Sequence, residues 1–145
     1  MSDLRRRLMG SGAAAGGAPP SLDLSSGYFD LGIVGESFHQ DELMPLRISQ
    51  RGRPFEVRLV PEPENPYDAN AVAIQVAKSG ALIGHLSREE AARQQPHLLR
   101  LAAAGLVVTC KGRTVGGDPE RPTIGVWLDI DLRRLEEAQP PTKGA

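Results

Sequence analysis

Phe55, Val57 and Leu59 alternate with Glu56, Arg58 and Val60, the period-two pattern of a half-buried strand, and Pro61 and Pro63 end it. Tyr28 to Val34 predicts an earlier strand, stopped at Gly35 where the chain must turn sharply or approach another backbone. Ala71 to Val76 and Ala81 to Leu86 predict a hairpin turning through Ser79-Gly80. Leu106 to Val115 and Thr123 to Ile130 predict two more strands joined by the Gly116-Gly117-Asp118-Pro119 loop. Between these, the spacing changes to a helical one. Asp41 is placed to cap a short helix through Leu46, with Pro45 limiting its regularity. Ser87 followed by Glu90 is a capping-box pattern, and Ala91, Ala92, Leu98, Leu99, Leu101 and Ala102 give the helix after it an apolar stripe. Pro96 should split or kink that helix, and Gly105 closes it.

Residues 1 to 26 are rich in Gly, Ala, Ser and Pro and carry no periodic apolar face, so they read as a disordered tail. Residues 139 to 145, with Pro140 and Pro141, read the same way. One domain is left, residues 27 to 138. It is expected to be mainly β with short helices, a small partly closed β-barrel of about five or six strands plus two or three helices. Closure removes sheet edges that so small a domain has little else to protect. An open α+β sheet is the alternative.

Composition narrows the functional classes. Lysine and arginine total 17 against 18 acids, so there is no overall basic field, and any nucleic-acid contact must be local. The single cysteine, Cys110, forms no internal disulfide and, with three scattered histidines, suggests no metal site; it reads as a small buried strand residue. No apolar run approaches the roughly 20 residues of a membrane span, so no membrane contact is expected. Arg5 to Arg7 lead into Gly, Ala and Ser rather than a leucine-rich segment, which argues against a secretory signal and for the cytoplasm.

The densest polar motif is Pro61-Glu62-Pro63-Glu64-Asn65-Pro66-Tyr67-Asp68-Ala69-Asn70-Ala71-Val72, followed after the hairpin by Ile83-Gly84-His85-Leu86-Ser87-Arg88. Together with Val34-Gly35-Glu36-Ser37-Phe38 and Gly125-Val126-Trp127-Leu128, it resembles the HIRAN domain family over roughly Leu31 to Asp131. The resemblance implies an OB-like barrel with a pocket for the unpaired 3′ end of single-stranded DNA. It implies that Phe38 and Tyr67 stack on terminal bases, that Asn65, Asp68 and His85 line the pocket around the last sugar, and that Arg88 faces a phosphate. Ser37 stands where a family member carries an arginine, and the Val115 to Pro119 loop lacks an aromatic residue.

Each of these residues also has a plainer reading. Asn65, Pro66, Tyr67 and Asp68 form a turn on chemistry alone, since Asn and Asp bond neighbouring backbone and Pro presets a dihedral. Phe38 could plug a barrel end, and His85 could be a satisfied, partly buried strand residue. Arg88 lies in a first helical turn, where a cation is mildly unfavourable. Trp127 alternates with Val126 and Leu128 and reads as core. His85, Asp68 and Ser37 or Ser87 could be drawn as a triad, but no nucleophile elbow, phosphate-binding glycine loop or helicase motif supports catalysis. The expectation is a non-catalytic, monomeric module without cofactor. Single-stranded DNA or its 3′ end is the ligand, and a helicase or nuclease is the candidate partner supplying catalysis. A protein or peptide interaction module on the same barrel is the second reading.

Overall fold

The structure, a computed structural model, describes residues 20–140. Along them run β1 (Ser21–Asp23), β2 (Leu31–Gly32), a 3₁₀ turn (Glu36–Phe38), α1 (Gln40–Gln50), β3 (Phe55–Pro61), β4 (Val72–Val76), β5 (Leu82–His85), α2 (Arg88–Ala103), β6 (Val107–Val115), β7 (Gly125–Leu128) and α3 (Leu132–Glu137). The strands form one sheet in the order β2-β7-β6-β3-β4-β5. Those neighbours are all antiparallel, and β1 lies parallel to the first half of β6. Just beyond β2, Val34 exchanges both backbone hydrogen bonds with His85 of β5, at 2.8 and 2.9 Å. The two ends of the strand order therefore meet, and the sheet curls into a small, partly closed barrel. That is the mainly β, OB-like architecture the pattern predicts.

Alternation explains the core. Phe55, Val57 and Leu59 are buried along β3 while Glu56 faces solvent. β4 is covered on both sides, with Val72, Ala73 and Ile74 fully buried. Cys110 lies within the core on β6, where burial pushes its thiol well above the usual range.

Helix α2 begins as its capping pattern requires, with Ser87 Oγ accepting from the Glu90 amide at 3.2 Å. Only half of the box forms, because the Glu90 carboxylate takes Arg93 and Gln94 instead. The helix runs unbroken through Pro96, whose ring lies on its exposed side. Its buried face is Ala91, Gln94, Gln95, Leu98 and Leu101, so Ala92, Leu99 and Ala102 of the expected stripe face outward.

Several expectations change. The strand expected over Tyr28 to Val34 shortens to Leu31–Gly32, since Tyr28 is exposed and Ile33 turns in to the core. Helix α1 is not capped by Asp41; it starts at Gln40 and passes Pro45 as far as Gln50. Pro45 is exposed, so water can satisfy the carbonyl one turn earlier that its missing N–H leaves without a partner. Trp127, expected in the core, stands on the outer face of β7.

The tail expectation divides in two. Residues 1–19 and 141–145 lie outside the described residues. Residues 20–26 are part of the fold: Ser21, Leu22 and Asp23 pair with Val107, Val108 and Thr109, and Leu24 is buried. Leu24 N donates to Thr109 O at 2.9 Å, and its own carbonyl accepts from Asp131 N at 2.8 Å. The buried Asp129 carboxylate holds the Gly27 amide at 3.1 Å and the Lys111 amide at 2.8 Å. A three-residue strand with one inward leucine has no period to read.

Candidate nucleic-acid interface

The motif residues gather where the barrel closes. Gly84 makes the closure possible: a β-carbon there would lie 2.7 Å from both the Val34 carbonyl oxygen and Ile33 Cδ1. Only a residue without a side chain lets these backbones approach. The Val34–His85 bridge thus fixes the start of the Gly35-Glu36-Ser37-Phe38 turn against β5. Gly35 adopts φ 83°, and Phe38 N donates to its carbonyl at 3.1 Å. Glu36 clips the turn to β7 by accepting from Val126 N at 3.1 Å. Gln40 bonds both the Ile124 amide and its carbonyl. This rigid turn presents a Phe38 ring that is 84% exposed and so plugs no barrel end.

Across the closure, the Asn65–Asn70 turn is braced from within. Asn65 Oδ1 accepts from Tyr67 N at 2.8 Å and Asp68 N at 3.1 Å, while its Nδ2 donates to Glu62 Oε1 at 3.0 Å. Asp68 Oδ1 accepts from Asn70 N at 2.9 Å. These are the self-bonded Asn and Asp turns that the plainer reading describes. They also hold the Tyr67 ring out into solvent, 91% exposed. Asp68 is half-buried, and its Oδ2 has no hydrogen-bond partner among the described residues.

Glu62 joins the two sides. Its Oε1 lies 3.0 Å from His85 Nε2 as well as from Asn65. An ionised carboxylate only accepts, so this contact assigns the proton to Nε2 of His85. His85 is therefore satisfied and half-buried, as its plainer reading has it, and is also tied to the Tyr67 turn. Arg88 is exposed at the first position of α2, three residues beyond His85, and among the described residues no hydrogen bond links its side chain to the other five.

A family model for the HIRAN domain matches residues 26–130. The chain belongs to the HIRAN domain family. Membership implies a nucleic-acid-binding module. A crystal structure of the HIRAN domain of human HLTF is similar at 15% identity, covering 77% of this chain and 90% of that one, with a TM-score of 0.38. No curated protein sequence matches the chain.

Two residues of this HIRAN domain escaped the sequence reading. Glu62 lies inside the quoted motif but received no role. Gln95 is buried on α2 and donates from Nε2 to the carbonyls of Ala69 and Ala71, at 2.8 and 3.1 Å, anchoring the Tyr67 turn from behind. The available sign was a pair of glutamines, Gln94-Gln95, at helical spacing between Ala91 and Leu98. A polar side chain on a buried stripe needs a partner, and here the partner is the loop.

Proposed function

We propose that this HIRAN domain is a non-catalytic module that binds the unpaired 3′ end of single-stranded DNA, serving repair, replication restart or defence beside a helicase or nuclease. The observation that carries the reading is the pair of rings, Phe38 and Tyr67, held almost wholly in solvent by turns that the barrel closure and Glu62 brace. Exposed aromatic rings lose hydrophobic stabilisation unless they meet a partner, and bases stack on them regardless of sequence. Asp68 brings an acceptor-only oxygen suited to a terminal hydroxyl and hostile to a terminal phosphate. Arg88 supplies a cation for an internal phosphate.

Fluorescence anisotropy with short strands ending in a 3′-hydroxyl, a 3′-phosphate or no end at all tests the reading. Hydroxyl-ended strands are expected to bind tightest. Equal binding of all three removes the end-reading role. Binding of none returns the rim to the second reading, a protein or peptide module, which the chain's net charge of −1 favours.

A further inference from the structure

Away from the closure, α1 and the end of β6 border an open groove of about 520 Å³, lined by Arg47, Ile48, Arg51, Gly52 and the Thr114 to Gly116 segment. Arg47 Nε donates to the Gly116 carbonyl at 2.8 Å. Arg113 Nε donates to the Gly52 carbonyl at 3.0 Å, and its guanidinium lies 4.6 Å from the centre of the Phe29 ring. Trp127 is the register partner of Arg113 on β7, packs over Gly32 and is 39% exposed. Arg53 follows in the same turn, bonded to the carbonyls of Gln50 and Ser49.

Four arginines thus collect on one side of a chain whose net charge is −1. Among the described residues, none of them forms an ion pair with a carboxylate, although Asp30, Glu56, Asp118 and Glu120 are carried by neighbouring segments. Among the described residues, Arg47 and Arg113 are fixed to the backbone through Nε alone, which leaves their terminal amino groups as pre-positioned forks. Such forks suit phosphate oxygens. Arg51 holds φ 54°, and among the described residues it alone, glycines aside, has a positive φ. Anion-ready arginines beside an exposed tryptophan and a cation-stacked phenylalanine are the combination that single-stranded nucleic acid uses, phosphates on the cations and bases on the rings.

We infer that this groove is a second nucleic-acid surface, a phosphate track with an aromatic platform that takes single-stranded nucleic acid and needs no strand end. It goes beyond the end-binding role and stands without it. Phe38 stands before the first turn of α1 and Arg51 follows its last, so the two regions engage strand from opposite ends of that helix.

The test is fluorescence anisotropy of the full chain with a circular single strand, which offers no end to the rim. Wild type is expected to bind it, with a steep loss of affinity as salt rises. Arg51→Gly removes one guanidinium while giving the left-handed position the residue that adopts it most readily, so the fold is kept. This variant should bind the circle about tenfold more weakly, and the slope of log affinity against log salt should shrink by about 0.7. Binding of a hydroxyl-ended trinucleotide should not change, which separates failure here from failure of the end-binding role. Arg51→Lys, which keeps the charge, should recover most of the circle binding. Unchanged circle binding by Arg51→Gly overturns the inference. So does competition by polyglutamate as effective, per charge, as that by single-stranded DNA, which would mark the groove as a site for acidic protein.

Discussion

The rim at the barrel closure and the groove beside α1 both present aromatic rings to solvent, yet they are built in opposite ways. The rim draws most of its polar residues from one stretch, Glu62 to Asp68, and braces them with bonds inside that stretch, a link to His85 and, from behind, Gln95. That stretch carries three carboxylates, Glu62, Glu64 and Asp68, Glu36 adds a fourth in the Phe38 turn, and Arg88 lies three residues beyond His85. The groove is lined by Arg47, Arg51 and the end of β6, and beside it Arg113 reaches the Gly52 carbonyl and the Phe29 ring, with Trp127 its register partner on β7. Among the described residues its arginines meet no carboxylate. A site that discriminates an end needs acids and fixed acceptors; a site that holds a backbone needs cations. The two proposed tasks differ as the charges do.

The largest effect tests whether both regions rest on one core. Leu24→Ala removes a fully enclosed side chain at the place where β1, β6 and the start of α3 meet. It should lower stability by about 2–5 kcal/mol, measured as a shift in the denaturant midpoint. The variant that remains folded should bind the trinucleotide and the circle as wild type does. Cooperative unfolding at an unchanged midpoint would return residues 20–26 to the tail.

Gly84→Ala should separate the two regions. The added methyl meets the Val34 carbonyl, so the closure must open or β5 must shift. Overpacking of this kind destabilises by about 1–3 kcal/mol. Below the unfolding transition, trinucleotide binding should fall because the Phe38 turn loses its register against His85, while circle binding persists. Equal loss of both would mean that the rim and the groove are one surface.

The contrast also explains what was legible in the sequence. The strands around Phe55 to Leu59 and the β4–β5 hairpin alternate openly, and the turn motif keeps its chemistry within a few residues, so both could be read directly. Trp127 could not, because on a strand of a half-covered barrel alternation says which residues share a face but not which face is inside. Gly84 was visible as part of a motif, but its reason, the backbone of Val34 pressed against it, lies about fifty residues upstream. The groove was invisible for a stronger reason. Overall charge is near zero, and the arginines that matter are separated in sequence by strands β3, β4 and β5 and helix α2.

Tyr67→Ala should leave the turn intact, because the bonds that form it use the Tyr67 backbone and not its ring. Stability should therefore stay within about 0.5 kcal/mol of wild type. Binding of short strands should weaken by about 1–3 kcal/mol, whatever the chemistry of the 3′ end, since stacking does not sense it. Circle binding should hardly move. A Tyr67→Ala protein that binds trinucleotides normally would leave the exposed ring without a role in the rim.

The smallest effect is the most specific. Asp68 uses Oδ1 to hold the Asn70 amide, and among the described residues Oδ2 has no partner. An ionised oxygen accepts the proton of a terminal hydroxyl but repels a terminal phosphate, so Asp68 should matter more to the difference between the two ends than to affinity itself. Asp68→Asn keeps an Oδ1 to cap the turn and replaces the charged acceptor by an amide that donates. In that variant the preference for hydroxyl-ended over phosphate-ended trinucleotides should narrow by about tenfold, the scale of one charge-assisted hydrogen bond, with the midpoint of unfolding nearly unchanged. Asp68→Ala should narrow the preference too and, by releasing the Asn70 amide, lower stability by roughly 1 kcal/mol. If Asp68→Asn retains the full preference, the discrimination lies elsewhere on the rim, and the Glu62 carboxylate, which already holds His85 and Asn65, becomes the residue to change.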